Sequence, residues 1–147
     1  MTLKERVQED MKAAMRGGER ERLATVRLIL AAIKQREVDE RISLDDTQVL
    51  AVLEKMVKQR RESIASFQAG GRSDLVAKEQ AELALLQTYL PEPLDEAAID
   101  ALIGTAIAEA GATSVKDMGK VMAIIKTRAA GRVDMGALGA RLRSRLS

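Results

Sequence analysis

The chain has 147 residues, 46% of them hydrophobic, with 24 Lys and Arg against 22 Asp and Glu. It contains no Cys and no His, which excludes disulfides, thiolate metal sites and a thiol nucleophile, and removes the usual general base and the commonest metal ligand. The aromatic residues are Phe67 and Tyr89, so a core must be built from Leu, Ile, Val, Met and Ala, a mixture that favours helix over sheet.

In chain order, Thr2 and Glu5 form a capping box, and Leu3, Val7, Met11 and Met15 recur every four residues. This first helix is expected to stop at Gly17-Gly18. A second runs from about Glu19 to Glu37 with Leu23, Val26, Leu30 and Ile33 on one face. Ser43 and Asp46 mark the start of a third, long helix whose stripe is Val49, Leu53, Met56, Val57, Ile64 and Phe67, and Gly70-Gly71 ends it. Ser73 is the expected cap of a fourth, with Leu75, Leu83, Leu86 and Leu90 facing inward.

Pro91-Glu92-Pro93 cannot continue a helix and gives a short, stiff connection. The spacing places a boundary there, between an N-terminal domain over 1–90 and a smaller one over 94–147. Three further helices are expected: Asp95 to Ala110 ending at Gly111, one capped by Ser114 and stopping at Gly131, and one capped by Asp134 and running to Leu146. No stretch alternates with period two, so the expected fold is all-α, four helices followed by three. No apolar run approaches the roughly 20 residues of a membrane span. The start, MTLKERVQED, lacks the apolar stretch of a signal peptide, so a cytoplasmic protein with no membrane contact is expected.

Charge is unevenly distributed. Ser114–Ser147 carries a formal +6, Leu94–Thr113 carries −4, and the chain as a whole only +2. A focused positive field of this kind suits a polyanion, with nucleic acid the leading candidate. On a helical wheel over Val115 to Ala130, Val115, Met118, Val121, Met122, Ile125 and Ala129 share the core arc. Lys116, Lys120 and Thr127 lie opposite, beside Gly119, Ala123, Ala130 and Lys126. A flat Gly/Ala strip flanked by ammonium groups lets a phosphate backbone approach closely and release counterions. The same wheel also fits a strip against which another helix packs, with solvated lysines beside it. Gly131 to Asp134 forms a tight turn that holds Arg132 at its tip.

Arg60 interrupts the apolar stripe of the third helix, and Glu79 that of the fourth. If these helices fold back at Gly70-Gly71, an Arg60–Glu79 or Arg60–Glu82 bridge is expected, because a buried charge must be paired. A buried anion site is the alternative. The carboxylates are spread among basic partners at helix spacing, unlike a converging acid/base pair. Neither Gly-Gly pair has the strand or the Gly-Lys-Ser/Thr ending of a phosphate loop. No catalytic residue, metal site or cofactor is therefore assigned.

Asp117-Met118-Gly119-Lys120-Val121-Met122, followed by Gly131 and Asp134, resembles the GatB/YqeY family, as do Lys58-Gln59-Arg60-Arg61-Glu62-Ser63, Gly71-Arg72-Ser73-Asp74-Leu75 and Tyr89-Leu90-Pro91. This family comprises free-standing YqeY-like proteins and the tail of the GatB component of aspartyl/glutamyl-tRNA amidotransferase. Two positions depart from its pattern: Ala123 stands where a second glycine is common, and Met135 precedes Gly136. The resemblance implies an all-helical protein in two parts, with a tail that contacts tRNA away from any chemistry. It also implies the label of a carbon–nitrogen ligase that takes its amide nitrogen from glutamine, although no ATP site or glutaminase nucleophile is found. The leading expectation is a non-catalytic accessory protein that binds tRNA or another structured RNA through Lys116, Gly119, Lys120, Ala123, Lys126, Arg128 and Arg132. The alternatives are a protein–protein adaptor and a component acting only alongside amidotransferase subunits.

Overall fold

Helices start within a few residues of where the sequence places them, although Ser43, Ser73 and Ser114 do not act as the expected caps. The structure, a computed structural model, describes residues 1–147. Helix α1 (Leu3–Arg16) begins at Thr2, whose hydroxyl accepts from the Glu5 backbone N–H at 3.1 Å and donates to the Glu5 carboxylate, also at 3.1 Å. Helix α2 spans Arg20–Glu40, running three residues past its expected end at Glu37, and closes on Arg41 in the left-handed region (φ 55°). Helix α3 (Asp46–Ala69) is capped by Asp45, not by Ser43 or Asp46. Asp45 exchanges bonds with Gln48 in a full capping box, and this frees the Asp46 carboxylate to accept from the Leu3 N–H at 2.9 Å. Helix α4 (Ser73–Gln87) starts one residue before its expected first turn: Ser73 is already helical, and Arg72 holds the cap position without a side-chain bond.

Helix α5 (Glu96–Ala110) is capped by Asp95, which accepts from Ala98 N–H at 2.7 Å, and it ends on Gly111 at φ 63°, a conformation in which a Cβ would be strained. The following segment opens as one turn of 3-10 helix, Val115–Asp117, before α6 (Met118–Arg128), and Ser114 makes no side-chain capping bond. Asp117, at the start of α6, makes no capping bond either; its carboxylate reaches back to accept from Thr113 N–H at 3.0 Å, ahead of the turn. Asp134 caps α7 (Met135–Leu146) through Gly136 N–H at 2.9 Å. The fold is all-α, with seven helices and no strand. No single helix is long and apolar enough to cross a membrane.

The chain divides into two units, Met1–Leu90 and Pro91–Ser147. In the first, Val7, Val26, Ile29, Ile33, Val49, Leu53 and Leu86 form a nearly water-free core. Each fully buried Leu or Ile contributes roughly 1.5–3 kcal/mol. At the end of the α1 stripe a sequence expectation fails. Met15 is 52% exposed because α1 ends one residue later, and its place inside is taken by Ala14. On α2 Ile29 is fully buried beside Val26 and Ile33, and Leu30 packs half-buried against the same core.

Polar contacts close this unit at both ends. The Tyr89 hydroxyl donates to Asp10 at 2.6 Å, and the Arg6 guanidinium lies 4.8 Å over the Tyr89 ring and donates to Thr88 O. Burial first, and then the Asp10 carboxylate, push the Tyr89 phenol well above its ordinary range. Tyr89→Phe is expected to cost about 1.5 kcal/mol, because Asp10 loses a charge-assisted bond in a partly shielded place; urea unfolding measures it. At the other end Lys4 Nζ reaches the Glu37 carboxylate at 2.9 Å, and Leu44 N–H donates to the same group at 2.9 Å. These two bonds, the Lys4 bond foremost, hold Glu37 below its ordinary value of 4.5. A depressed acid stabilises the fold above that value and loses its effect as pH falls through the folded-state pKa. Glu37→Gln should therefore lower the melting temperature at pH 7 and converge with wild type in more acidic solution, as melts across an acid pH series would show.

Candidate nucleic-acid interface

In Pro91–Ser147 the core is Ile103, Ala106, Val121, Ile125, Ala129, Leu138 and Leu142. Helix α5 and the segment Val115–Arg128 meet at 93°, so Val121 and Ile125 turn inward and the opposite side of α6 faces solvent. Val115, which the wheel assigns to the core, is 39% exposed, because the 3-10 turn rotates it out of the α-helical register.

The exposed side holds Lys116, Gly119, Lys120, Ala123, Lys126 and Thr127. A Cβ built on Gly119 would find no atom within 4 Å, so this glycine does not make room for a neighbouring helix of this chain. Its φ is not in the left-handed region either, so the backbone does not require glycine there. Lys116, Lys120 and Lys126 take part in no ion pair; the ion pairs of this unit involve Arg128 and Arg141. Asp117 is held below its ordinary carboxylate range chiefly by the Thr113 N–H bond, with the nearby Lys120 charge as a smaller contribution. The Thr127 hydroxyl is turned back to Ala123 O at 3.0 Å.

The two arginines in the predicted set stand differently from the lysines. Arg128 donates through Nη2 to both oxygens of Glu109, at 2.6 and 2.5 Å. It is exposed but already neutralised. Arg132 donates through Nε to Glu92 O at 2.8 Å, while its own carbonyl accepts from Leu94 N–H at 2.9 Å. It fastens the Pro91–Pro93 segment to the α6–α7 turn, where Gly131 sits at φ 76°. Arg141 pairs with Glu96 at 2.8 Å and with Asp100.

These pairs revise the electrostatic picture drawn from the sequence. The acidic helix α5 folds onto the basic segment, and Pro91–Ser147 holds eight Lys and Arg against seven Asp and Glu, a net +1. What remains positive is the strip of Lys116, Lys120 and Lys126 on the 3-10 turn and α6, with Arg132, Arg143 and Arg145 also exposed and outside any ion pair, not a module with a uniform +6. The pairing of Glu109 with Arg128, 19 residues apart, is invisible to periodicity, which places residues on faces without giving the crossing angle that brings two faces together.

In the first unit, Arg60 Nε lies 2.7 Å from Glu82 and 3.3 Å from Glu79, with all three side chains between 14% and 18% exposed. Nε and the nearer Glu79 oxygen are buried without an aligned hydrogen bond, so the triad is held by charge proximity more than by directed bonds. Its two carboxylates already neutralise the arginine, so an anion would have to compete with them. No three Asp or Glu side chains converge to hold a metal ion.

The chain is 42% identical over 85 residues to "Altered inheritance of mitochondria protein 41, mitochondrial" of Eremothecium gossypii, covering 57% of this chain and 46% of that protein. It is 37% identical over 129 residues to the protein of the same name from Pyrenophora tritici-repentis, covering 84% and 71%. With the protein of that name from Vanderwaltozyma polyspora the identity is 34% over 85 residues, covering 57% and 46%. The matched segment thus spans about half the length of two of these relatives. A family model described as Yqey-like protein matches residues 4–146, nearly the whole chain, and the chain belongs to the YqeY-like family.

Proposed function

We propose that this protein is an RNA-binding accessory protein without chemistry of its own, and that tRNA is its ligand. The observation that carries the reading is the open strip on α6. Gly119 has nothing above it, and Lys116, Lys120 and Lys126 flank it with no carboxylate partner. A helix surface left bare of side chains lets a sugar-phosphate backbone come near enough for ammonium groups on both sides to reach successive phosphates. With Tyr89 buried and Phe67 half-buried, no exposed aromatic platform is available for base stacking. Recognition would then read backbone and shape.

The resemblance to the tail of the amidotransferase component GatB supports tRNA as the particular RNA. Any link to a glutamine-dependent carbon–nitrogen ligase would be one of partnership with amidotransferase subunits. The acidic side chains of Pro91–Ser147 cap helices or pair with arginines instead of converging on a site. The cytoplasm is the proposed compartment; the fungal relatives carry mitochondrial names, and fractionation of cells decides between the two. The deciding test is titration of labelled tRNA with wild type and with Lys116→Glu/Lys120→Glu. Equal affinities reject the site. Retention of a protein partner after nuclease treatment, with no RNA affinity, favours the adaptor reading instead.

A further inference from the structure

Helix α2 is apolar on two sides. One side is the core face of Val26, Ile29 and Ile33, all at most 1% exposed. On the other, Ala24, Leu28, Ala31, Gln35 and Val38 are all exposed to solvent, Leu28 at 45% and Val38 at 59%. Their spacing alternates between four and three residues, which is the seam spacing of a helix that pairs with another helix. Ile42, 40% exposed, continues the same count just past the end of the helix. Leu28, Val38 and Ile42 make up half of the large hydrophobic residues this chain exposes, so they form one concentrated feature, not scattered surface residues.

A line of cations runs beside this seam. Arg20, Arg27, Lys34 and Arg41 follow one another at seven-residue intervals, all exposed, and none takes part in an ion pair; the paired arginines of α2 are Arg22 and Arg36. At the C-terminal end the seam opens into a concavity of about 390 Å³ lined by Lys4, Lys34, Glu37, Val38, Arg41 and Ile42. Lys4 and Glu37 neutralise each other there, which leaves Lys34 and Arg41 to set its sign.

We propose that this face of α2 docks an acidic amphipathic helix from a partner protein. The partner's aliphatic side chains would lie along Leu28, Ala31 and Val38, one of them seated in the concavity, and its carboxylates would lie along the basic line. Charge complementarity selects this occupant. A second copy of the chain packed antiparallel would set the basic line against itself. Packed parallel, it would match Arg20 and Arg27 with Thr25 and Ala32, leaving Lys34 with Asp39 as the single complementary pair. A nucleic acid would satisfy the cations but gain nothing from Leu28, Val38 and Ile42. The surface belongs to the first unit and stands independently of the RNA reading.

The test uses the full-length protein and two labelled synthetic peptides of about four heptads, both with Leu at the seam positions, one with Glu and one with Lys at the flanking positions. Fluorescence anisotropy should show binding of the Glu peptide and not of the Lys peptide. Leu28→Asp/Val38→Asp should weaken it about tenfold or more, since two apolar contacts are lost and charge is placed in the seam. Arg27→Glu/Lys34→Glu should reverse the preference toward the Lys peptide. All four side chains are exposed, and circular dichroism checks that both variants keep their helix content. Equal binding of the two peptides, no binding of either, or a Leu28/Val38 variant that binds as wild type does overturns the proposal. So does a dimer by sedimentation that Leu28→Asp abolishes, which would give the face to a second copy.

Discussion

Reversing the charge of Lys116 and Lys120 together is expected to weaken tRNA binding roughly 10- to 100-fold at low salt. Two phosphate contacts are lost, and two carboxylates are placed where the phosphates would sit. Wild type should show a salt dependence matching about three neutralised phosphates, a slope near −2 to −3 in log K against log salt. The variant should be nearly flat. The effect should be specific to α6. Removing the pair together, Arg128→Ala/Glu109→Ala, should cost less affinity than the lysine changes, because Arg128 and Glu109 already cancel and contribute little net charge to an approaching strand. Anisotropy titrations at several salt concentrations check both statements. A variant with the wild-type slope would show that RNA, if bound, binds elsewhere.

The largest effect on stability is expected at Arg60. Arg60→Met leaves Glu79 and Glu82 facing each other behind side chains that are at most 18% exposed. Removing one partner from a buried ionic group typically costs 3–5 kcal/mol; because this triad is only mostly buried, the expected loss is about 2–3 kcal/mol. The triple change Arg60→Met, Glu79→Leu, Glu82→Leu should recover most of it, since apolar groups of similar volume need no partner. Chemical denaturation of the three proteins measures both. The contrast matters because Arg60 Nε lacks an aligned hydrogen bond. If the triple variant were as unstable as the single one, the triad would owe its stability to directed bonding after all.

Much of the architecture was legible because this chain uses strong local signals. Capping carboxylates at Asp95 and Asp134, glycines at the ends of α1, α3 and α5, and apolar residues at three- and four-residue spacing all read directly. Where two capping residues compete within a few positions, the sequence does not choose between them. Asp45 displaces Ser43 because Gln48 can answer it. The lysine strip was legible on a wheel, which reports faces. The neutralisation of Arg128 beside it was not, because Glu109 and Arg128 meet only through the crossing of α5 with the next helix. The second apolar face of α2 escaped for a related reason. Once Val26 and Ile33 are assigned to a core stripe, further apolar residues on the same helix read as background until solvent exposure separates the two sides.

The contacts between α1 and the Thr88–Tyr89 segment have a consequence for how the protein is made. Arg6 and Asp10 bond to partners 82 and 79 residues further along, so α1, which is synthesised before the other helices of this unit, is among the last of them to be secured. Until Tyr89 emerges, α1 can rest on α2 but lacks these two fastenings, while α3 and α4, adjacent in sequence, can already pair. Closing so long a loop is slow compared with local pairing. Co-translational assembly of residues 1–90 should therefore proceed from the middle of the unit outward, with the N-terminal helix locked down only when the Pro91–Pro93 segment is about to follow.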